Sequence, residues 1–147
     1  MMPQIDPITL EVVTEALVAV VREMRVTTLR TAYASIISEG QDFSCAIFGP
    51  DGQMVAQSED LPAHVIPIAA SIEETLKEFP GDLSPGDLIM INDPFRGGTH
   101  LNDVAVISPV FVDGKLFKPL FGVCIRVGGG KKFYPFRGPD RDAVRLA

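Results

Sequence analysis

The sequence predicts an α+β domain in which a long N-terminal helix and a second helix pack on mostly antiparallel strands and hairpins. Apolar side chains recur at helical spacing in two segments, which predicts the helices. Short runs rich in Val, Ile and Phe, separated by turns of Gly, Pro and Asp, predict the strands. The chain has 147 residues, of which 46% are hydrophobic, so it can bury one core of moderate size.

The first predicted helix begins near residue 7. Asp6 is a suitable N-cap, and Pro7 fits the first helical position because its φ is already helical and its missing N–H has no intrahelical partner to lose. The apolar face of this helix comprises Val13, Leu17, Val20 and Met24. We expect the helix to continue toward Ser35.

A β-hairpin and a second helix are predicted next. Phe43–Phe48 and Gln53–Gln57 are short β-forming runs, and the Gly, Pro and Asp residues of Gly49–Gly52 are typical of a turn. The second helix is predicted over Pro67–Phe79, because its apolar residues share one face and Pro80-Gly81 would end it. Those apolar residues are Ile68, Ile72 and Leu76.

Three more strands complete the predicted sheet, at Leu88–Ile91, Val104–Val112 and Leu116–Ile125. Asp113 and Gly114 supply a turn between the last two strands. Proline donates no ladder hydrogen bond, so the strands that contain Pro109 and Pro119 should be edge strands or carry bulges.

Charge is distributed unevenly along the chain. Of 13 basic and 19 acidic side chains, residues 1–123 carry 7 and 17, and residues 124–147 carry 6 and 2. An acidic body repels nucleic acid, and the basic tail contains no nucleic-acid-binding motif, so we expect no nucleic-acid partner. The change of sign also marks residues 124–147 as a segment distinct from residues 1–123.

Membrane insertion and export are not expected from this sequence. No apolar run reaches the length of about 18 residues that a membrane span needs. The first residues lack the features of a secretion signal, so we expect a cytoplasmic protein. Cys45 and Cys124 lie far apart without metal-ligand spacing, which favours reduced, buried thiols over a disulfide.

A polar loop between two predicted strands holds most of the candidate site residues. These are Asn92, Asp93, Arg96, Gly97, Gly98, Thr99, His100 and Asp103. His100 and Asp103 are spaced so that an imidazole nitrogen and a carboxylate oxygen could meet at one divalent ion, and the glycines would let backbone approach a ligand. Two ligands do not make a catalytic zinc site, and Asp-Pro and Gly-Gly are ordinary turn chemistry, so spacing alone favours a structural loop.

His64 and Asp42 are further candidates. His64 could be a metal ligand, a proton-transfer group or a capping side chain, and capping or packing is the commoner role for a lone histidine. Asp42 and Asp93 each lie next to a predicted strand, where they are turn formers first and substrate contacts second.

Six segments of the chain together resemble the hydantoinase B family. They are Asp6–Val12, Asp42–Ala46, Asp51–Gln57, Pro62–His64, Leu83–Asp87 and above all Asn92-Asp-Pro-Phe-Arg-Gly-Gly-Thr-His-Leu-Asn-Asp103. This family includes the B subunit of N-methylhydantoinase, the C-terminal half of ATP-dependent 5-oxoprolinase and the large subunit of acetone carboxylase. The resemblance extends from about residue 5 to residue 123, so it covers most of the chain.

The resemblance implies one half of a two-component enzyme. A partner of the hydantoinase A type would bind ATP and activate a small cyclic amide or ketone, and the B component would complete ring-amide hydrolysis or carboxylation. It also implies a divalent metal ion, zinc or manganese, with ligands that carry over onto His100 and Asp103. Such an ion could polarise a carbonyl or acidify a water. An assembly with the partner, or a homo-oligomer, is expected.

The remaining candidates receive roles on the same basis. The candidate catalytic residues are His64, Asp42 and Asp93. The candidate substrate-binding residues are Asn92, Arg96, Gly97, Gly98 and Thr99.

The chain departs from the family pattern after residue 123. The family carries a metal-ligating histidine there, whereas this chain has Ile125 and no histidine between Gly122 and Gly130. We therefore interpret residues 1–123 as a hydantoinase B-like domain and residues 124–147 as a divergent basic tail, out of register with the family.

The leading hypothesis is a truncated hydantoinase B-like subunit of an ATP-dependent enzyme that opens hydantoin or 5-oxoproline rings, inactive without its partner. The alternatives are a non-catalytic fragment that acts as an oligomerising or partner-binding domain, and a relic of an acetone-carboxylase-type subunit.

Overall fold

The computed structural model describes residues 5–49, 51–59, 62–79, 83–96, 100, 103–113, 115–116, 123–127 and 145–146. For residues 62, 63, 65 and 66, and for the last three of these ranges, the backbone alone is described. The helices are α1 (Pro7–Thr31), α2 (Ser35–Ser38) and α3 (Pro62–Glu78). The strands are β1 (Phe43–Phe48), β2 (Met54–Gln57), β3 (Ile89–Ile91), β4 (Val104–Ser108), β5 (Phe111–Val112), β6 (Lys115–Leu116), β7 (Val123–Val127) and β8 (Arg145–Leu146). The predicted α+β class is confirmed.

The start of α1 follows the prediction. The Asp6 side chain caps the helix by accepting a hydrogen bond from the Thr9 backbone N–H at 3.1 Å, and Pro7 occupies the first position. That hydrogen bond, followed by one from the Thr9 hydroxyl, lowers the pKa of Asp6 below its ordinary value of 3.8. The helix does not continue to Ser35, because Ala32 adopts an extended conformation and ends it; Ser35 instead begins the separate short helix α2.

The first hairpin is confirmed, with β1 and β2 paired antiparallel. The turn between them includes Gly52, whose φ of +78° is a conformation that glycine adopts without steric cost.

Helix α3 begins at Pro62, so the prediction of a start at Pro67 was wrong. Pro62 takes the first helical position, where its missing N–H costs nothing, and Pro67 lies inside the helix. An interior proline removes one backbone hydrogen bond, which is why the sequence favoured a later start. The added first turn carries His64 into the packed part of the molecule, where it is buried.

The main sheet has the order β2-β1-β7-β4-β3-β8, and β5 pairs with β6 in a separate hairpin. Every pair is antiparallel except β3 with β8, so the prediction of mostly antiparallel pairing is confirmed. The predicted strand Val104–Val112 is divided at Pro109 into β4 and β5. Strand β4 is an interior strand rather than an edge, and this is possible because Pro109 lies just beyond its last residue.

The other two strand predictions are also adjusted. Strand β3 begins at Ile89 rather than Leu88. The predicted strand Leu116–Ile125 corresponds to β6 and β7, and the intervening segment that contains Pro119 lies outside the described residues.

Helices cover the sheet on both faces. On one face α3 contributes Ile68 and Ile72 to a buried cluster with residues of three strands, namely Ala46, Phe48, Ile89, Ile91, Ala105 and Ile107. On the other face α1 packs Val21 against Ile47 and Ala56, with Leu17, Val18 and Met24 around them. Apolar burial of this kind is the dominant stabilising contribution to folding.

Much of helix α1 is not covered by the rest of the described chain. Its buried residue is Val21, and the apolar side chains of its N-terminal half are exposed, namely Ile8, Leu10, Val12 and Val13. Among the described residues, no helix combines the length and the apolar character needed to cross a bilayer.

The contact between α1 and the sheet can be tested with two neighbouring valines. Val21 is 0% exposed and Val20 is 45% exposed. We expect Val21→Ala to lower the free energy of unfolding by about 2 kcal/mol more than Val20→Ala, because only the first substitution leaves a cavity in the core. Both substitutions gain the same helix propensity, so that contribution cancels. Equal urea midpoints for the two variants would contradict the packing of α1 described above.

The Asp6 cap predicts a pH-dependent helix start. A lowered pKa in the folded state means that the cap stabilises the helix above pH 3.8 and that this contribution is lost as the pH falls through the lower folded value. The Thr9 amide proton should therefore shift on acidification between about pH 5 and pH 2 in proton–nitrogen NMR spectra. Asp6→Asn keeps an acceptor oxygen but cannot titrate, so in that variant the same signal should stay in place.

Candidate functional site at one end of the sheet

The register of β7 brings two distant parts of the chain to the same end of the sheet. Val127 pairs with Phe43 of β1 on one side and with Val104 of β4 on the other. Because β1 and β4 are both antiparallel to β7, they run in the same direction. Asp42 and Asp103, which directly precede them, therefore lie at equivalent positions two strand spacings apart, roughly 10 Å. We call this end of the sheet, with Asp42, His64, Asn92, His100 and Asp103, the polar edge.

His100 and Asp103 form one pair at the polar edge. The Asp103 carboxylate accepts a hydrogen bond from the His100 backbone N–H at 3.0 Å, and its Oδ2 lies 3.2 Å from His100 Nδ1. The Asp103 side chain is 4% exposed, whereas that of His100 is 70% exposed. The carboxylate is thus anchored in the fold, and the imidazole that it orients is open to a ligand.

Asn92 supports this pair from the neighbouring strand. Its side-chain amide donates to the Asp103 backbone carbonyl at 2.7 Å and so ties the end of β3 to the start of β4. Asn92 was a candidate for substrate binding, and the bond that the structure gives it holds the position of Asp103.

Asp93 and Arg96 lie on the same loop and make local contacts. Asp93 Oδ1 accepts from the Phe95 backbone N–H at 2.9 Å, which is a turn-forming bond, and the Arg96 guanidinium donates to Glu78 at the end of α3 at 3.1 Å. Both side chains remain partly exposed. Gly97, Gly98 and Thr99 lie outside the described residues.

Asp42, His64 and Ser44 form a second group. The His64 ring lies between them, with Nε2 3.3 Å from Asp42 Oδ1 and Nδ1 3.2 Å from Ser44 Oγ. His64 is 5% exposed at its side chain and Asp42 is 33% exposed, so the group opens to solvent at the carboxylate. The sequence interpretation missed Ser44. A signal was present, because Ser44 follows Asp42 at the two-residue spacing that puts strand side chains on one face.

The residue before Asp42 is held in an unusual conformation. Gln41 has a φ of +51°, a left-handed conformation that costs a non-glycine residue about 1 kcal/mol or more. Arg25 of α1 donates to the Gln41 side chain at 2.7 Å, and its guanidinium stacks 5.1 Å from the centre of the Phe43 ring. Arg25 therefore contacts the residues on both sides of Asp42.

The donors at the polar edge fit two positions of a metal site. A zinc ion bound at the usual lengths of about 2.0–2.2 Å places two tetrahedral donors roughly 3.3 Å apart, which is close to the 3.2 Å between His100 Nδ1 and Asp103 Oδ2. Within the described ranges, no group of three His, Cys, Asp or Glu side chains is close enough to hold a metal. Ile125, the residue at which the family resemblance would place a further metal-ligating histidine, pairs with Cys45 of β1 and Val106 of β4 in the middle of the sheet.

The family model for hydantoinase B/oxoprolinase matches residues 6–127, which include both groups of the polar edge and five adjacent strands of the main sheet, β2-β1-β7-β4-β3. The chain belongs to this family. The resemblance inferred from the six sequence segments is therefore confirmed.

Two curated relatives and one solved structure illustrate the match to other members of the hydantoinase B/oxoprolinase family. The 5-oxoprolinase PfmaA of Pestalotiopsis fici is 40% identical over 111 residues, which are 76% of this chain and 9% of the relative. The caprolactamase subunit beta of Pseudomonas jessenii is 35% identical over 115 residues, 78% of this chain and 20% of the relative. The crystal structure of ATP-dependent caprolactamase from the same organism superposes with a TM-score of 0.75 at 32% identity, over 86% of this chain and 21% of that one.

The chain corresponds to a small part of each of these proteins. It spans between 9% and 21% of the length of these relatives. One of them is by name a subunit of a larger enzyme.

Proposed function

We propose that this hydantoinase B-like chain carries catalytic groups for the ATP-dependent opening of a cyclic amide, and that the polar edge is where they act. The observation that carries the proposal is the fold match to ATP-dependent caprolactamase at 32% identity over 86% of the chain. The polar edge supports it because acidic and imidazole side chains from separate segments converge there, as hydrolytic chemistry requires.

The names of the relatives favour one class of substrate. A 5-oxoprolinase and a caprolactamase both act on rings that contain an amide bond. We therefore favour hydrolysis of a small lactam over carboxylation of a ketone.

Ring opening requires a water to add to the carbonyl carbon, the C–N bond to break and the ring nitrogen to receive a proton. Asp42 suits the removal of a proton from the attacking water, because its carboxylate is the exposed end of a buried hydrogen-bonding group. His64 stands behind Asp42 and acts on the reaction through it. Asp93 and Arg96 lie on the loop beside the polar edge, where they could contact a substrate. Gly97, Gly98 and Thr99 lie outside the described residues and stay candidates for substrate binding from the sequence alone.

His100 and Asp103 are the residues that would hold a divalent ion, zinc or manganese. When bound, such an ion would polarise the amide carbonyl or acidify a water. Asp103 is buried and held by Asn92, so it offers a fixed oxygen donor, and His100 offers an exposed nitrogen. The remaining coordination positions fall to groups other than these two side chains.

ATP is assigned to a partner. The proposed partner is a subunit of the hydantoinase A type, which binds ATP and activates the amide by transferring a phosphoryl group to it. That group leaves as inorganic phosphate when the attacking water opens the ring. Turnover by this chain is therefore proposed to depend on that partner.

The metal proposal predicts a specific pattern of binding. In a calorimetric titration with Zn²⁺, His100→Ala and Asp103→Asn should each weaken binding at least about tenfold, since each removes a donor. Asp113→Asn is the matched control, because Asp113 is an exposed turn carboxylate that follows β5 and is not part of the polar edge, so this substitution should leave binding unchanged. Equal heats for wild type, His100→Ala and Asp103→Asn would remove the site.

The activity proposal is tested by co-expression with an ATP-binding subunit of the hydantoinase A type. We expect ATP-dependent ring opening of 5-oxoproline, caprolactam or hydantoin by the complex, followed by chromatography of the open-chain product. Asp42→Asn should lower kcat by about a hundredfold or more, because the amide cannot accept the proton of the water. Full activity of Asp42→Asn, or of the partner alone, would contradict the proposed role of this chain.

A further inference from the structure

A buried histidine needs hydrogen-bond partners for its ring nitrogens, and His64 finds both partners in side chains of one strand start, at Asp42 and Ser44. His64 lies in the first turn of α3, whereas Asp42 and Ser44 lie at the start of β1. Both ring nitrogens have a side-chain partner, at 3.3 Å for Asp42 and 3.2 Å for Ser44. A helix and a strand are thereby joined through one imidazole at the polar edge.

The chemistry of the three groups sets the direction of the hydrogen bonds. An ionised carboxylate only accepts, so the nitrogen that faces Asp42 must carry the proton. In a neutral imidazole the other nitrogen is then an acceptor, and the Ser44 hydroxyl can donate to it. Proton donation therefore runs from Ser44 to His64 and from His64 to Asp42.

The burial of the three groups excludes a nucleophilic serine. Ser44 is 2% exposed, so its hydroxyl cannot reach a substrate, whereas Asp42 is the most exposed of the three. A serine–histidine–aspartate arrangement that hydrolyses amides directly needs the opposite order, with the serine at the surface. Of the three groups, the carboxylate is the most accessible to a ligand.

An independent observation points to the same carboxylate. Gln41, directly before Asp42, has a φ of +51°, and such left-handed residues occur at functional sites where the surroundings enforce them. Arg25 supplies that enforcement, through a 2.7 Å hydrogen bond to Gln41 and a stacking contact with Phe43. The backbone on either side of Asp42 is held from α1, and its side chain faces His64 from α3.

We propose that His64 is a positioning residue for Asp42, with Nε2–H directed at the carboxylate and the Ser44 hydroxyl directed at Nδ1 to hold the ring in that tautomer. The 3.3 Å separation is slightly longer than a well-formed bond, and such contacts tighten when substrate is bound. The proposal rests on the proposed function only for the role of Asp42 in the reaction. The tautomer and the contact are properties of the folded chain without turnover.

The tautomer is measured first, by long-range proton–nitrogen NMR correlation of the full chain labelled on histidine nitrogen. The chain has only two histidines, and His100→Ala assigns the remaining signal to His64. We expect a protonated Nε2 and an unprotonated Nδ1. A proton on Nδ1, alone or together with one on Nε2, would overturn the proposal.

The partners are then removed one at a time. Asp42→Ala should take away the acceptor of Nε2–H and convert the single tautomer into a mixture. Thr14→Ala, a substitution at an exposed hydroxyl of α1 away from the polar edge, is the control and should leave the His64 signal unchanged. A His64 signal that is the same in Asp42→Ala and wild type would show that the ring does not depend on Asp42 and would overturn the proposal.

Two variants, assayed in the complex with the ATP-binding subunit, distinguish a positioning role of His64 from a packing role. His64→Gln keeps an N–H donor that can face Asp42, and His64→Leu fills similar space without one. We expect His64→Leu to lower kcat by about tenfold to a hundredfold with KM nearly unchanged, and His64→Gln to recover most of kcat. Equal losses in the two variants, with both folded by circular dichroism, would overturn the positioning role.

The outcomes also separate this proposal from the proposed function. A complex that opens none of the lactams tells against the proposed function, while the NMR experiments still decide whether His64 holds Asp42. If the complex turns over a lactam but His64 is protonated at Nδ1, the proposed function stands and the positioning role is rejected.

Discussion

The pairing of β7 with β1 and β4 is the constraint on which the candidate site depends. Val127 faces Phe43 on one side and Val104 on the other, so residues about sixty positions apart in the chain begin their strands at the same level. A slip of one residue in either pairing would move one carboxylate along the edge and turn its strand over. The two buried clusters on the faces of the sheet resist that slip, because it would move Ala46 or Ile107 out of the cluster under α3 and turn it to the opposite face.

Each of the two groups at the polar edge combines a buried side chain with a more exposed one, but the buried side chain is an imidazole in one group and a carboxylate in the other. In one, a buried imidazole supports an exposed carboxylate; in the other, a buried carboxylate supports an exposed imidazole. A buried partner is held by the fold and limits the freedom of the exposed one, which is what preorganised catalytic groups require. The chain thus presents one accessible carboxylate and one accessible imidazole at the same edge, each in contact with a buried partner. The chain matches about a fifth or less of the length of the relatives compared above.

Local patterns predicted the elements well and their limits less well. The Asp6 cap, the first hairpin and the buried stripe of α3 follow from nearest-neighbour chemistry, so the sequence sufficed for them. The start of α3 does not follow from local chemistry, because tertiary packing of its first turn outweighs the cost of one interior proline, Pro67. The pair His100–Asp103 could be foreseen from its spacing. The contact between His64 and Asp42 could not, because it depends on where a helix packs on a sheet. Ser44 was overlooked although its two-residue spacing from Asp42 indicated a shared strand face.

The position of β7 has a consequence for co-translational folding of the protein. It is the inner strand that joins β1 to β4, yet it is the last of these three to be synthesised. While the ribosome is still making the segment before residue 123, the strands of the main sheet already synthesised can form only two separate ladders, β1 with β2 and β3 with β4, each with an open side. Closure of the sheet must wait until residues 123–127 have left the exit tunnel, and until then both open sides offer unpaired backbone to other chains or to chaperones.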